Sequence, residues 1–511
     1  MRVALTGGLI ADGAELAPGN VVVEGERIAA VLRPGEPVAD AEVIDATGNV
    51  IAPGFIDLHS HADFSLGASP AAESQLTQGV TTLVAGNCGW SPFPVRNAQT
   101  LRDGTAFLGR HLDWSWNDLS GFAATVEPAV NLALQVGHCT LRIAAMGSAE
   151  RRPTPDELRT MQDLLRAAAD QGAVGFSTGL IYAPGAYASS EEVAALVSTA
   201  AECGLLYSTH IRNEGAGLIG ALDEAIAAAR AGGAQLEISH LKAVGKGNYG
   251  LVTTALEHLD GIDDLDLGWD AYPYTATSTT LTTRLPTWAL ADGRLLDRLA
   301  DPSERARIAS ALRSDALLSP DSVVIASLPP GRYEDCRGLS LSEIARRDDV
   351  DAAEIVLRIL ESHQASVSVV NHAMSEADVT TVLQHPRTAV ASDGWIMDAA
   401  GDGHPHPRNF GTFPRVLGHY ARDRGVLGLA DAIRRMTSLP AARLGWSDRG
   451  VITPGAIADL VVLDPSRVAD KSTYDDPWQL SVGVSHVLVA GQVALADGVP
   501  TGRRAGRVIG S

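Results

Sequence analysis

Cysteine is scarce: Cys88, Cys139, Cys203 and Cys336 are scattered through 511 residues. Thiols so few and so far apart exclude a disulfide framework and point to a reducing, cytoplasmic setting. Positive charge is also in deficit. There are 40 Lys and Arg against 61 Asp and Glu, a formal net charge of −21. Such a surface repels polyanions, so neither nucleic acid nor an anionic membrane is expected as a partner. An anionic ligand would need a local cationic pocket. Long apolar runs are missing. No stretch approaches the ~18 apolar residues that a membrane span requires. The opening MRVALTGGLIADG has one Arg and no apolar core, so it does not read as a signal peptide. Internal repeats and low-complexity tails are absent. What is present is a balance of 45% hydrophobic and 20% charged residues, as in a packed globular body. The length suits two or three domains, or one large barrel with additions.

The two ends of the chain read as short strands. Val21–Val31 and Ala41–Gly54 are β-branched runs broken by Gly and Asp, and Ala458–Asp464 and His486–Leu495 are similar. Neither end is large enough to fold alone. The spacing therefore predicts that residues 1–54 and 447–511 pair into one small β domain, a β-sandwich. The middle, 55–446, alternates strands with helical patterns, which implies βα units around a parallel sheet. Nine apolar runs compete for the eight strands of a (β/α)₈ barrel: FIDLH, TTLVAGNC, NLALQVGH, AVGFST, LLYSTH, LEISH, LDLGWD, VSVVNH and TAVASD. One is expected to be an extra. Helices are expected over Pro155–Gly172, with a Pro start, early acids and a Gly stop, and over Ser190–Gly204. A charged, helical stretch over about 285–347 breaks the rhythm and reads as an insertion at the barrel mouth.

In barrels of this kind, reactive groups sit at the C-terminal ends of the strands. Those ends carry His59, His61, Cys88, His210, His240 and Asp393. Residues i and i+2 of a strand share a face, so His59 and His61 in PGFIDLHSHAD form half of a metal site. Cys88, His210 and His240 have the composition of a catalytic zinc set, three ligands with a fourth position for water. Zinc brings the pKa of water towards neutrality, and a carboxylate must then carry the proton. Asp393, in VASDGW, is the candidate for that role, although a turn aspartate before glycine would look the same. His138 and His372 also fall at strand ends.

At these residues the sequence resembles the D-aminoacylase (N-acyl-D-amino-acid deacylase) branch of the amidohydrolase superfamily. PGFIDLHSHAD, GVTTLVAGNCG, YSTHIRNE, ISHLKAVG, DAYPYTATST, MSEADV, ASDGW, HPHPRNFGTFPRVLG and GVITPGAIADLVVLD carry the likeness across nearly the whole chain. The resemblance implies a metal-dependent hydrolase barrel that acts on N-acyl-D-amino acids. It implies one tight zinc on Cys88, His210 and His240. A second, weaker metal position is implied at His59, His61 and Asp393, with Asp393 as general acid/base. Relatives such as hydantoinases use a carboxylated lysine, which AVGFST does not offer here. The resemblance also implies that Lys242, Tyr274 and Arg408 bind the substrate's α-carboxylate. A guanidinium holds a carboxylate bidentately, and a lysine and a phenol complete such a pocket.

Two readings of the side-chain pocket stay open. Arg284 would pair with an acidic substrate side chain. Leu281, Leu285, Trp288 and Leu290 would instead make an apolar pocket. Two alternative functions are weighed against deacylation: an amidohydrolase acting on a cyclic amide, N-formyl or N-carbamoyl compound, and a catalytically silent barrel that only binds. The second of these expects broken ligands, and all six are present. No oligomeric state follows from the sequence.

Overall fold

A computed structural model describes residues 2–510 except 12, 14, 39, 109–111 and 315–318. Its centre is an eight-stranded parallel sheet. The strands are β1 (Phe55–Asp57), β2 (Val80–Ala85), β3 (Asn131–Gly137), β4 (Gly175–Gly179), β5 (Leu206–His210), β6 (Leu236–Ile238), β7 (Leu267–Ala271) and β8 (Thr388–Val390). Neighbours in sequence are neighbours in the sheet. β1 and β8 close the ring just beyond their ends, where Ser60 bridges Gly394 and the Asp393 amide donates to the His59 carbonyl at 2.8 Å. Every residue of β2 and β3 is buried, as expected of strands covered on both faces.

The connecting helices follow their local signals. Pro155–Asp170 starts in a capping box: the Thr154 hydroxyl accepts from the Glu157 amide, and Glu157 accepts from the Thr154 amide. Met161, Leu165 and Ala168 make its buried stripe at helical spacing. The next helix, Ser190–Glu202, is capped by Ser189.

The ninth apolar run is the extra one. VSVVNH forms the strand Ser368–Asn371, which pairs antiparallel with Thr277–Thr280 and Val323–Ser327 outside the barrel. This three-stranded sheet and its helices form a unit between β7 and β8 with its own core, including Leu281, Ile325, Ile355, Leu360 and Val369. The unit is therefore wider than 285–347. Its first and last strands lie outside those bounds because pairing, not composition, distinguishes them from barrel strands. Strands from both chain ends form a separate nine-stranded sheet. The junction is Val50–Pro53 against Leu460–Leu463, with Val461 opposite Ala52. Among the described residues, no helix is long and apolar enough to cross a membrane.

Candidate metal centre

The barrel rim brings six side chains from five strand ends into two overlapping groups. His59, His61, Cys88 and Asp393 form one; Cys88, His210 and His240 form the other. Within each group the donor atoms lie within 4.8 Å of one another, and all six residues are buried. Cys88 belongs to both. Its Sγ lies 3.4 Å from His59 Nε2, 3.6 Å from His210 Nδ1 and 3.5 Å from His240 Nε2. Asp393 Oδ1 lies 3.4 Å from His59 Nε2 and 3.1 Å from His61 Nε2.

These separations suit a metal. Zinc about 2.3 Å from sulfur and about 2.0 Å from nitrogen, in a tetrahedron, sets the two donors about 3.6 Å apart. Burial pushes the His59 imidazole down to about 4 and lowers His61, His210 and His240 as well. The rings are thus neutral, with lone pairs to offer. Burial likewise pushes the Cys88 thiol up, and a cation among these donors would reverse that. Burial opposes the charge on Asp393, but the Arg408 guanidinium and the hydrogen bond with His61 hold its carboxyl well below the usual range.

Backbone strain concentrates here. Cys88, His240 and Asp393 are non-glycine residues with φ of +54°, +38° and +50°. Such conformations cost energy and persist where the surroundings impose them. At these strand ends they turn the side chains into the rim.

A second layer orients the donors. Asp270 Oδ2 lies 3.3 Å from His59 Nδ1, while its Oδ1 accepts from the His240 amide at 2.8 Å. Glu214 Oε1 lies 3.1 Å from His240 Nδ1 and accepts from Lys242 Nζ at 2.6 Å. Its other oxygen is 3.7 Å from His210 Nε2. Burial opposes ionisation of Glu214, and Lys242 overcomes it. These carboxylates fix which ring nitrogen faces the centre.

Two buried cations flank the cluster. Lys242 rests on Glu214 and the His240 carbonyl. Arg408 donates to Asp393 Oδ2 at 2.7 Å, and its Nε has no hydrogen-bond partner among the described residues.

The family model described as "Amidohydrolase family" matches residues 42–495. The chain belongs to this family. It is 36% identical over 516 residues to N-acyl-D-glutamate deacylase of Alcaligenes xylosoxydans xylosoxydans, covering 100% of this chain and 96% of that protein. It is 35% identical to D-aminoacylase of the same organism, covering 99% and 96%. Among solved structures, N-acyl-D-glutamate deacylase of Bordetella bronchiseptica, complexed with zinc and a phosphonate mimic of the tetrahedral intermediate, is similar at a TM-score of 0.84. Its identity is 35%, over 100% of this chain and 99% of that one.

Not every expected residue of this amidohydrolase lies at the centre. His138 is buried on Glu192, and His372 packs on Tyr474. Tyr274 sits behind the rim, against His406 and Tyr474, and its hydroxyl donates to the Pro407 carbonyl at 3.5 Å. Tyr272 takes the expected place instead, with its ring 5.6 Å from Lys242 Nζ and 4.9 Å from the Arg408 guanidinium carbon. The chain leaves β7 at Ala271, so strand alternation does not extend through Pro273 to Tyr274. Arg284 is half-buried on the turn Leu281–Arg284, apart from the cavity beside the metal centre. Leu281 and Leu285 belong to the inserted unit's core, with Trp288 and Leu290 packed on it, and none of the four is in the lining of the cavity beside the metal centre. The sequence motifs assign no role to Asp270 or Glu214. Asp270 ends LDLGWD, the same strand-end signal that marked the ligands, and Glu214 lies four residues after His210.

Proposed function

We propose that this protein hydrolyses N-acyl-D-amino acids to a carboxylate and a free D-amino acid, with zinc as its cofactor. The observation that carries this is the cluster of six buried donors sharing Cys88, beside a buried arginine with one donor still open. The D configuration and the linear amide are carried over from the relatives. Cys88, His210 and His240 would hold the tight ion, and His59, His61 and Asp393, with Cys88, a second, weaker one. When bound, zinc polarises the amide carbonyl and acidifies water.

The protein's own groups do the rest. Arg408 takes the substrate's α-carboxylate, with Lys242 and Tyr272 on the same side. The open Nε gives one carboxylate oxygen a donor without breaking an existing bond. Asp393, kept ionised by Arg408, accepts the proton of the attacking water and returns it to the leaving nitrogen. Residues 55–446 form the catalytic unit in this reading, and 1–54 with 447–511 the small β domain. The four free cysteines accord with a cytoplasmic location. A small molecule is the partner, and the excess negative charge argues against nucleic acid.

The test is amine release from zinc-loaded protein, or ring opening to the N-carbamoyl acid where the substrate is a hydantoin. The substrates are N-acetyl-D and N-acetyl-L forms of Leu, Met, Phe, Glu and Asp, with a hydantoin and N-formyl and N-carbamoyl compounds as controls. Turnover confined to the D forms, and lost in Arg408→Ala, is expected. Preferential turnover of the controls, indifferent to Arg408→Ala, would sink the proposal.

A further inference from the structure

We infer that the cavity beside the metal centre selects substrates carrying one large apolar group, on the acyl side or on the D side chain. This rests on the deacylase reading and goes beyond it by naming the substrate class. The cavity has a volume of about 530 Å³, within the range that encloses a drug-sized ligand. An acetyl group or an alanine side chain would leave most of it unfilled. It adjoins the reaction centre through Trp395, whose ring lies 5.8 Å from that of His61 and 5.9 Å from the Arg408 guanidinium carbon.

The lining is mixed, and its large apolar side chains come from five separate segments: Phe64 just after the HxH pair, Phe107, Leu328, the run Trp395 to Met397, and Trp478. Several polar groups among them are already engaged. Ser366 and Ser368 donate to the carbonyls of Ala106 and Phe107 at 2.8 and 3.2 Å. His406 faces the Ala276 carbonyl with Nε2 at 3.0 Å and accepts from the Arg408 amide. Burial and the Arg408 charge keep His406 neutral.

The charged lining disfavours an acidic substrate side chain. Among the described lining residues, Arg337 is the one Lys or Arg, and Asp398 and Asp402 are the acids. Arg337 pairs with Asp402 at 3.3 Å and donates to the Leu328 carbonyl at 3.2 Å. A carboxylate side chain would meet two carboxylates and one guanidinium that Asp402 already pairs. A hydrocarbon chain would displace only water, and each buried methylene strengthens binding about fourfold.

The experiment measures kcat/KM of the zinc-loaded enzyme with N-acetyl-D-alanine as reference. One series lengthens the acyl group through butyryl and hexanoyl to octanoyl. A second enlarges the side chain through D-norvaline and D-leucine to D-phenylalanine. N-acetyl-D-glutamate is the acidic comparison. A rise of about fourfold per methylene in at least one series, ending well above N-acetyl-D-glutamate, is expected. The series that rises identifies the occupant. Ala68→Trp, on an exposed part of the wall, should lower the ratio of the largest to the smallest substrate in that series. Two flat series overturn the inference. So does a preference for N-acetyl-D-glutamate that disappears in Arg337→Gln. In both cases deacylation itself stands. Absence of turnover with every N-acyl-D-amino acid instead overturns the underlying reading, and the inference with it.

Discussion

Asp393 answers to three partners at once: its Oδ1 faces His59 and His61, and its Oδ2 holds Arg408. A carboxylate so placed is ionised before substrate arrives, which a general base requires. Asp393→Asn keeps the shape and removes the base. It should lower kcat by roughly 10²–10⁴, with the tight zinc still bound by Cys88, His210 and His240. Metal analysis beside steady-state kinetics checks both halves. Activity equal to wild type would remove Asp393 from the chemistry. Glu214 acts one layer further out, on His240 and Lys242. Glu214→Ala leaves His240 Nδ1 facing only Lys242 Nζ, at 2.7 Å, and leaves Lys242 buried without its counter-ion. Zinc affinity should fall about 10–100-fold, read by competition with a chromophoric chelator. Unchanged affinity would mean that the contact with His240 is incidental. The six donors were legible in the sequence because a barrel presents its strand ends at one rim. The second layer was less so: Glu214 reaches His240 from a loop, and no periodicity encodes that reach.

At the scale of elements, the strand-to-loop transition decides what can be read in advance. Just past β1 the Ser60–Gly394 bridge carries strand-like alternation on, and His59 and His61 on either side of it both face Asp393. Past the end of β7 it fails, and Tyr272 rather than Tyr274 faces Lys242 and Arg408. The ninth apolar run fails differently. VSVVNH has the composition of a barrel strand, and only its antiparallel partners reveal otherwise. Helix ends are more legible, since their signals are local. In the Thr154–Glu157 box, Thr154→Ala should cost the helix Pro155–Asp170 about 1 kcal/mol. Hydrogen exchange in its first turn should accelerate accordingly. The Arg151 side chain, with the Thr154 amide, lowers Glu157 from 4.5 to about 2. A depressed folded pKa means that this stabilisation is present above about pH 4.5 and is lost as pH falls towards 2. First-turn protection should therefore decline over that window, and no such decline is expected in Glu157→Gln.

For the molecule as a whole, the metal and the net charge act on different observables. Metal that binds only the folded state stabilises it by RT ln(1 + [L]/Kd), about 2.7 kcal/mol at a hundredfold excess over Kd. Chelation should thus abolish turnover and lower Tm together, and zinc should restore both. A Tm indifferent to chelation would place the metal outside the buried cluster.

The charge of −21 bears on the approach of substrate. An N-acylated amino acid is a monoanion, and the two cations proposed to receive it are buried and paired with Glu214 and Asp393. They recognise the carboxylate at contact but project little positive field into solvent. At distance the substrate therefore meets the repulsion of the whole surface. Salt screens that repulsion: the Debye length contracts from about 30 Å at 0.01 M to about 8 Å at 0.15 M. Raising ionic strength across this range should increase kcat/KM for N-acyl-D-amino acids, while kcat at saturation stays nearly constant. A neutral amide of the same substrate serves as the control, with kcat/KM insensitive to salt. If kcat/KM for the anion falls with salt instead, a positive field dominates at the mouth, and substrate is drawn in against the net charge.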